Sequence, residues 1–356
     1  MKMGFQAGVE YKGKIYFSDD SGFGLFSFDL STRKVEFCVQ FEETDCFALH
    51  RKAFLYKNEA WFVPQAGRHI TCVNLDDYSI QRFEVPYKKM NPSLEVLLSD
   101  GVVINGMLVC CPYDIDTLVI ADLNEHKLRT YFDFIDPEKE SFISLGVRND
   151  YVWLYPFKGE EIKVVDPNDG RWEIRKRYDR QFDYSEVAFM QEKSIYAPGG
   201  KRALLCVDDN EKRETAYDGG TRQFIGSAIK EDTVIFFPYE GKDFLEVDAT
   251  NMQQRSFDAD SEAVLNDGHI LIRIDSREGL FLSSSLTGYV LEICEDGTVK
   301  CYHVVADEGD LRKQIDMKTS LEEKRKVFGL NSTYVYHEDY KRSLKGFVEF
   351  IGREEE

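Results

Sequence analysis

Long apolar runs are missing from this 356-residue chain, and none approaches the roughly 18 to 20 residues of a membrane-spanning helix. The opening residues, Met1-Lys2-Met3-Gly4-Phe5-Gln6, have neither a long apolar core nor a cleavage-like site, so no secretory signal is expected and the chain is expected to be cytoplasmic. Histidine is scarce. His50, His69, His126, His269, His303 and His337 show no HxH or HExxH spacing, which leaves a zinc site without support. CxxC pairs are absent as well. The eight cysteines (Cys38, Cys46, Cys72, Cys110, Cys111, Cys206, Cys294 and Cys301) sit mostly inside expected strands, where a reduced thiol behaves as a small apolar group. Cys294 and Cys301, flanking the last expected hairpin, are the one pair placed for a disulfide. There is no Walker-type loop and no GxSxG elbow. Gly22-Phe23-Gly24 has Ser27 where a dinucleotide fingerprint needs its third glycine, and it reads as a turn. Positive charge is in deficit, with 45 basic against 64 acidic residues and a formal net charge of −19, which repels nucleic acid and anionic lipid at long range. The basic clusters at 171–180 and at Lys324-Arg325-Lys326 have acids beside them and read as solvated faces.

What the chain does have is a repeat. An apolar triplet followed by proline occurs as Trp61-Phe62-Val63-Pro64, Val109-Cys110-Cys111-Pro112, Trp153-Leu154-Tyr155-Pro156, Ile195-Tyr196-Ala197-Pro198 and Ile235-Phe236-Phe237-Pro238. Ten residues after each proline stands Asn74, Asp122, Asp166, Asp208 or Asp248. Relaxing the proline adds Tyr16-Phe17-Ser18 with Asp29 and Phe281-Leu282-Ser283 with Cys294, each at an offset of eleven. Steps of 46, 48, 44, 42, 40 and 45 residues then separate seven units, with degenerate units at the two ends as in most repeat arrays.

Each unit reads as four short strands. In the fourth, Phe142–Leu145, Tyr151–Tyr155, Glu161–Val165 and Arg171–Ile174 are rich in β-branched and aromatic residues and are separated by Asn149-Asp150, Lys158-Gly159 and Asp166-Pro167-Asn168-Asp169-Gly170. The recurring Asp or Asn has a local physical role, since its side chain accepts a hydrogen bond from an amide two residues on and nucleates the turn. Proline, lacking an N–H, belongs where a strand ends or its ladder is broken. Four-stranded antiparallel units in such number close into a β-propeller, which removes exposed sheet edges by radial repetition. The expected fold is therefore all-β, a propeller of about seven four-stranded blades over residues 4–305, six with an irregular closing segment being the alternative. At Gly13-Lys14-Ile15-Tyr16-Phe17 and Ser194-Ile195-Tyr196-Ala197-Pro198-Gly199-Gly200 the chain resembles kelch-like, galactose-oxidase-type propellers, in which such a strand and a glycine pair lie close together. The resemblance implies a fold and no particular activity.

Beyond residue 305 the period stops, and residues 306–356 form the second expected segment. Residues 310–327 carry Glu and Lys at helical spacing and read as one or two polar helices. Leu344, Phe347, Val348 and Ile351 recur at i, i+3, i+4, i+7 and make an apolar helical stripe, to be covered by the propeller itself or by a partner's groove.

Propellers bind at the mouth of the central channel. Polar residues near the starts of the expected innermost strands are Gln6, Asp45, Glu95, Ser141, Glu186, Gln223 and Glu262. His50 follows one such run and His269 begins another, making them the candidate general bases. Converging acids would accept a divalent cation through oxygen ligands, although no cofactor is required by any motif. With no acid/base constellation apparent, the expectation is a non-enzymatic binding or scaffold module for a protein, peptide, small-molecule or glycan-related partner. The alternative is a metal-assisted hydrolase, lyase or sugar-modifying enzyme with its site in the channel, as in the lactonase-like and epimerase-like propellers that the chain resembles in fold.

Overall fold

The computed structural model describes residues 5–19, 24–41, 49–91, 96–159, 161–176, 184–190, 192–199, 203–208, 212–219, 223–238, 243–258, 271–276, 279–284, 288–294 and 298–318. The chain divides into two compact units, Met1–Asp307 and Glu308–Glu356. The first is a seven-bladed propeller in which every blade is a four-stranded antiparallel sheet of consecutive strands. Of the second, the structure describes one helix, Glu308–Lys318. No helix among the described residues is long and apolar enough to cross a membrane.

The first strand of each blade lies beside the first strands of its neighbours, so these seven strands ring the central channel: Phe5–Tyr11, His50–Tyr56, Leu98–Ile104, Ser141–Arg148, Tyr184–Phe189, Phe224–Lys230 and Leu271–Ile274. The apolar triplets are the second strands, buried on both faces. Successive side chains of a strand point to opposite faces, so Phe62 joins the core shared with blade 1 while Trp61 and Val63 join the core shared with blade 3. Likewise Cys110 packs toward blade 2, and Val109 and Cys111 toward blade 4. The core is thus a set of layers between blades, and the free thiols of Cys72, Cys110 and Cys111 are buried parts of it. Cys294 and Cys301 are also unbridged.

The Asp/Asn ladder builds turns in the expected way. Asp29 accepts from Ser31 N at 3.0 Å, Asn74 from Asp76 N at 2.9 Å, Asp122 from Asn124 N at 3.1 Å, Asp166 from Asn168 N at 2.9 Å and Asp248 from Thr250 N at 2.8 Å. The outer units are in finer register than the sequence implied. Strand pairing puts Asp19, opposite Phe5, in the proline's place in blade 1, and Ser284, opposite Leu271, in the last blade. From those positions Asp29 and Cys294 also stand ten residues on, and all seven units share one offset.

The prolines lie opposite an irregularity. In blades 2 to 6 the innermost strand skips one residue between the partner of the proline and the next pair: His50/Lys52, Leu98/Asp100, Phe142/Ser144, Tyr184/Glu186 and Phe224/Gly226. Blade 1 does the same between Phe5 and Ala7. A bulge leaves the ladder broken at that point, which is where a residue without an N–H is tolerated.

Among the described residues, ring closure is made at Asp275 and Ser276, the latter donating from Oγ to Glu10 Oε2 at 3.0 Å. With no sheet shared between the two ends of the repeat array, Asp275 of the last blade bridges to blade 1, accepting from Glu10 N at 2.7 Å and donating to Gly8 O at 3.2 Å. Its carboxylate accepts Leu55 N of blade 2 at 2.8 Å.

Candidate functional site

The bulges mark one register on the innermost strands. Twelve residues before each proline-equivalent position comes the first residue after the bulge: Ala7, Lys52, Asp100, Ser144, Glu186 and Gly226, with Ile272 at the same register in the last blade. Bulges commonly re-aim side chains beside active sites. Here blades 2 to 5 contribute an unbroken polar arc.

Two pairs make up that arc. Lys52 Nζ donates to Asp100 Oδ1 at 2.5 Å, with the carboxylate 9% exposed and the lysine 34%. Gly101 N also donates to Asp100 Oδ1, at 2.6 Å. A Cβ on Gly101 would lie 2.9 Å from the Phe54 ring, so only glycine lets blade 2 close on this carboxylate. Across the next boundary, Ser144 Oγ donates to Glu186 Oε1 at 3.3 Å. Burial pushes the Glu186 carboxyl up to about 7; Lys52 draws it down and Asp100 raises it, while Val187 N and Ser144 favour the charged form. A carboxyl raised toward neutrality, within electrostatic reach of an ammonium–carboxylate pair, is suited to general acid–base chemistry. On the opposite side, Ala7 is fully buried in the core shared by blades 1 and 2, and Gly226 has no side chain. A Cβ at Gly226 would meet Phe237 at 3.1 Å.

The residues singled out by sequence are dispersed. Glu186 is in the ring. His50 is 1% exposed, packed against Phe41 and Phe62 at ring centroid distances of 4.9 Å, with neither nitrogen hydrogen-bonded; burial lowers its pKa to about 3, so it is neutral at physiological pH. Ser141 is buried at the start of its strand, opposite Lys158, and Gln223 is exposed immediately before Phe224. Asp45, Glu95, Glu262 and His269 lie outside the described residues, as do Leu344, Phe347, Val348 and Ile351, and the side chain of Gln6. Lys52, Asp100 and Ser144 were missed. The signal that would have found them is the constant spacing of twelve residues before the proline.

Among the described residues, no group of three or more His, Cys, Asp or Glu side chains is placed to share a metal ion. Within the ring the cation between carboxylates is Lys52 itself. Polar clusters away from the channel are satisfied internally: Lys163 donates to Phe134 O at 2.7 Å and to Glu140 at 2.8 Å amid Phe134, Phe142 and Trp172. His126 sits between Glu59 at 3.1 Å and Gln81 at 2.9 Å.

No protein-family model matches the sequence, and no curated protein matches it. Solved structures do match its fold. Catalytically inactive virginiamycin B lyase from Staphylococcus aureus, solved with quinupristin, is 14% identical with a TM-score of 0.58, covering 80% of this chain and 92% of that one. Streptogramin B lyase is 13% identical with a TM-score of 0.55, covering 71% and 82%. Hsv2 of Kluyveromyces lactis is 10% identical with a TM-score of 0.53, covering 85% and 100%. Likeness at this identity establishes the seven-bladed propeller and does not establish kelch membership. The expectation of a non-enzymatic binding module is corrected on two grounds. Enzymes are among the proteins that share the fold, and titratable side chains do stand on the innermost strands, in the Lys52–Asp100 and Ser144–Glu186 pairs.

Proposed function

We propose that the protein is an enzyme, a lyase or hydrolase acting on a small-molecule or glycan-related substrate at the channel mouth. The observation that carries this reading is the Glu186 carboxyl, raised to about 7 next to the Lys52–Asp100 pair. In the lyase form, ionised Glu186 takes a proton from a carbon adjacent to the scissile C–O bond. The electron pair of that C–H bond forms the new double bond, the C–O bond breaks, and the leaving oxygen receives its proton from the Lys52 ammonium. Asp100 holds that ammonium in place, and Ser144 orients the base. The similarity in fold to two lyases supports this class. Free thiols at all seven described cysteines support a reducing, cytoplasmic setting. We also take residues 4–305 as the catalytic domain and the remainder as an appendage.

The test is turnover, followed by mass spectrometry, on virginiamycin B, quinupristin and a panel of lactones and uronic-acid glycans. Glu186→Gln and Lys52→Met should each lower kcat by about 100-fold or more, the range of general acid–base contributions. The wild-type rate should inflect near pH 7. Turnover that survives both substitutions, or no turnover across the panel, rejects the proposal.

A further inference from the structure

The outermost strand of blade 4, Trp172–Lys176, differs from its counterparts in the other blades. Its inner edge pairs with Glu161–Val165, and no strand among the described residues pairs with its outer edge. Just beyond that ladder, in the same register, Asp166 N donates to Arg171 O at 2.8 Å. Antiparallel pairs alternate between hydrogen-bonded and non-hydrogen-bonded, so Glu173 and Arg175 direct their backbone groups at the inner neighbour while Trp172, Ile174 and Lys176 turn theirs outward. An open edge of this kind is a template for a further strand.

The side chains favour the same use. Trp172 is 42% exposed and Ile174 48%, and two residues apart they share one face of the strand. No other outermost strand among the described residues exposes large apolar side chains to this degree. Trp172 is also held in place, with the Lys163 ammonium 4.8 Å from the centre of its ring and Phe134 meeting it edge-on at 5.4 Å. The patch continues toward blade 3, where Asp116 ties Lys88 N, at 3.0 Å, to Phe134 N, at 2.9 Å, and Lys88 Nζ lies 4.7 Å over the exposed Phe132 ring. Apolar surface gathered in one region marks an interaction site, and a fixed tryptophan is a common anchor.

Glu173 and Arg175 decide which partner fits. They lie on the other face, 2.6 Å apart, with both side chains more than half exposed. Such a solvated pair contributes little by itself, so it loses little by sharing its charges. When a second copy of this strand runs antiparallel with Ile174 facing its own counterpart, Glu173 falls opposite Arg175 of that copy and Arg175 opposite its Glu173. Trp172 then stands opposite Lys176, and the outward backbone groups of the two strands are the ones that meet. Centring on Glu173 instead would set Glu173 against itself and Arg171 against Arg175. A net charge of −19 makes copies of the chain repel at long range, but this strand carries one acidic and two basic residues and gives them a place to approach.

We infer that the outer edge of blade 4 is a self-association surface, at which two copies of the chain pair antiparallel about Ile174 and join their fourth blades into one continuous sheet. The same patch is buried on both copies, as a two-fold interface requires. This strand is the outermost of its blade and Ser144 belongs to the innermost, so the pairing is independent of the enzymatic reading.

Sedimentation velocity of the full chain over a concentration series should show a monomer–dimer equilibrium with a dissociation constant in the micromolar range, as suits a small interface. Ile174→Lys sets like charges face to face on the axis and should weaken the dimer at least about tenfold. The decisive arm mixes two variants. Glu173→Arg alone and Arg175→Glu alone each place like charges opposite one another and should stay monomeric; combined in equal amounts, they restore opposite charges at both pairs and should form a heterodimer. Residues that mattered only for folding would not recover on mixing, and circular dichroism confirms that each variant is folded. The inference is overturned if wild type stays monomeric through the series, if folded Ile174→Lys dimerises like wild type, if either charge variant alone does so, or if mixing yields no heterodimer.

Discussion

Replacing Glu186 by glutamine should make the protein more stable at alkaline pH while leaving it unchanged in mild acid. The carboxyl rises from 4.5 in an exposed chain to about 7 in the folded protein. Between those values the folded state holds a proton that the unfolded chain has released. Stability therefore falls as pH rises through that window and levels off above it. At about 1.4 kcal/mol per pKa unit, the full shift is worth about 3 kcal/mol, and partial exposure of the side chain to solvent reduces this to about 2 kcal/mol. Glutamine keeps the shape and an acceptor for Ser144 Oγ but cannot ionise. Urea denaturation of the two proteins at pH 5 and pH 8.5 isolates the effect, because Asp114, whose carboxyl is raised to about 6 by burial, is common to both. The variant should gain about 2 kcal/mol at the higher pH relative to the lower. Parallel stability curves, within about 0.5 kcal/mol, would refute the claim that Glu186 is held in a desolvated, electrostatically coupled site.

His50 carries the opposite sign. Its folded pKa is depressed to about 3, so below 6.5 the unfolded chain gains a proton that the folded protein does not, and stability is lost as pH falls. At pH 5 this costs about 2 kcal/mol relative to pH 7. His50→Phe, which suits the Phe41 and Phe62 surroundings, should abolish that loss in a urea titration; an unchanged acid sensitivity counts against the assignment. Asp275→Ala should destabilise by about 1 to 3 kcal/mol by leaving Leu55 N without its acceptor. Asp275→Asn should recover most of this, and equal denaturation midpoints for all three proteins would show that closure does not depend on the side chain.

The fold was legible because its two marks are local. Proline is tolerated opposite a bulge and an Asp or Asn nucleates the next turn, and both constraints act within one blade, so they recur along the chain as printed. Where the proline is replaced, by Asp19 and Ser284, the mark was placed one residue early at Ser18 and Ser283, since only strand pairing shows which residue stands opposite the bulge. The site was less legible because its members come from four blades. Searching the starts of innermost runs recovered Glu186 but selected Asp45 instead of Lys52, Glu95 instead of Asp100 and Ser141 instead of Ser144, three to seven residues too early. One residue of slip moves a side chain to the other face of a strand, and a skipped residue cannot be seen in apolar periodicity. The Lys52–Asp100 pair depends on the packing of blade 2 against blade 3, a contact that no single repeat encodes.

The seven units serve as their own alignment. At the proline position five are identical, and at the turn position five carry Asp and one Asn, because the backbone makes the same demand in each blade. At the ring position, which follows a bulge in blades 1 to 6 and none in the last blade, the residues are Ala7, Lys52, Asp100, Ser144, Glu186, Gly226 and Ile272. The polar members are consecutive, from blades 2 to 5. Under the enzymatic reading proposed above, these differences from blade to blade are what an asymmetric ligand would require.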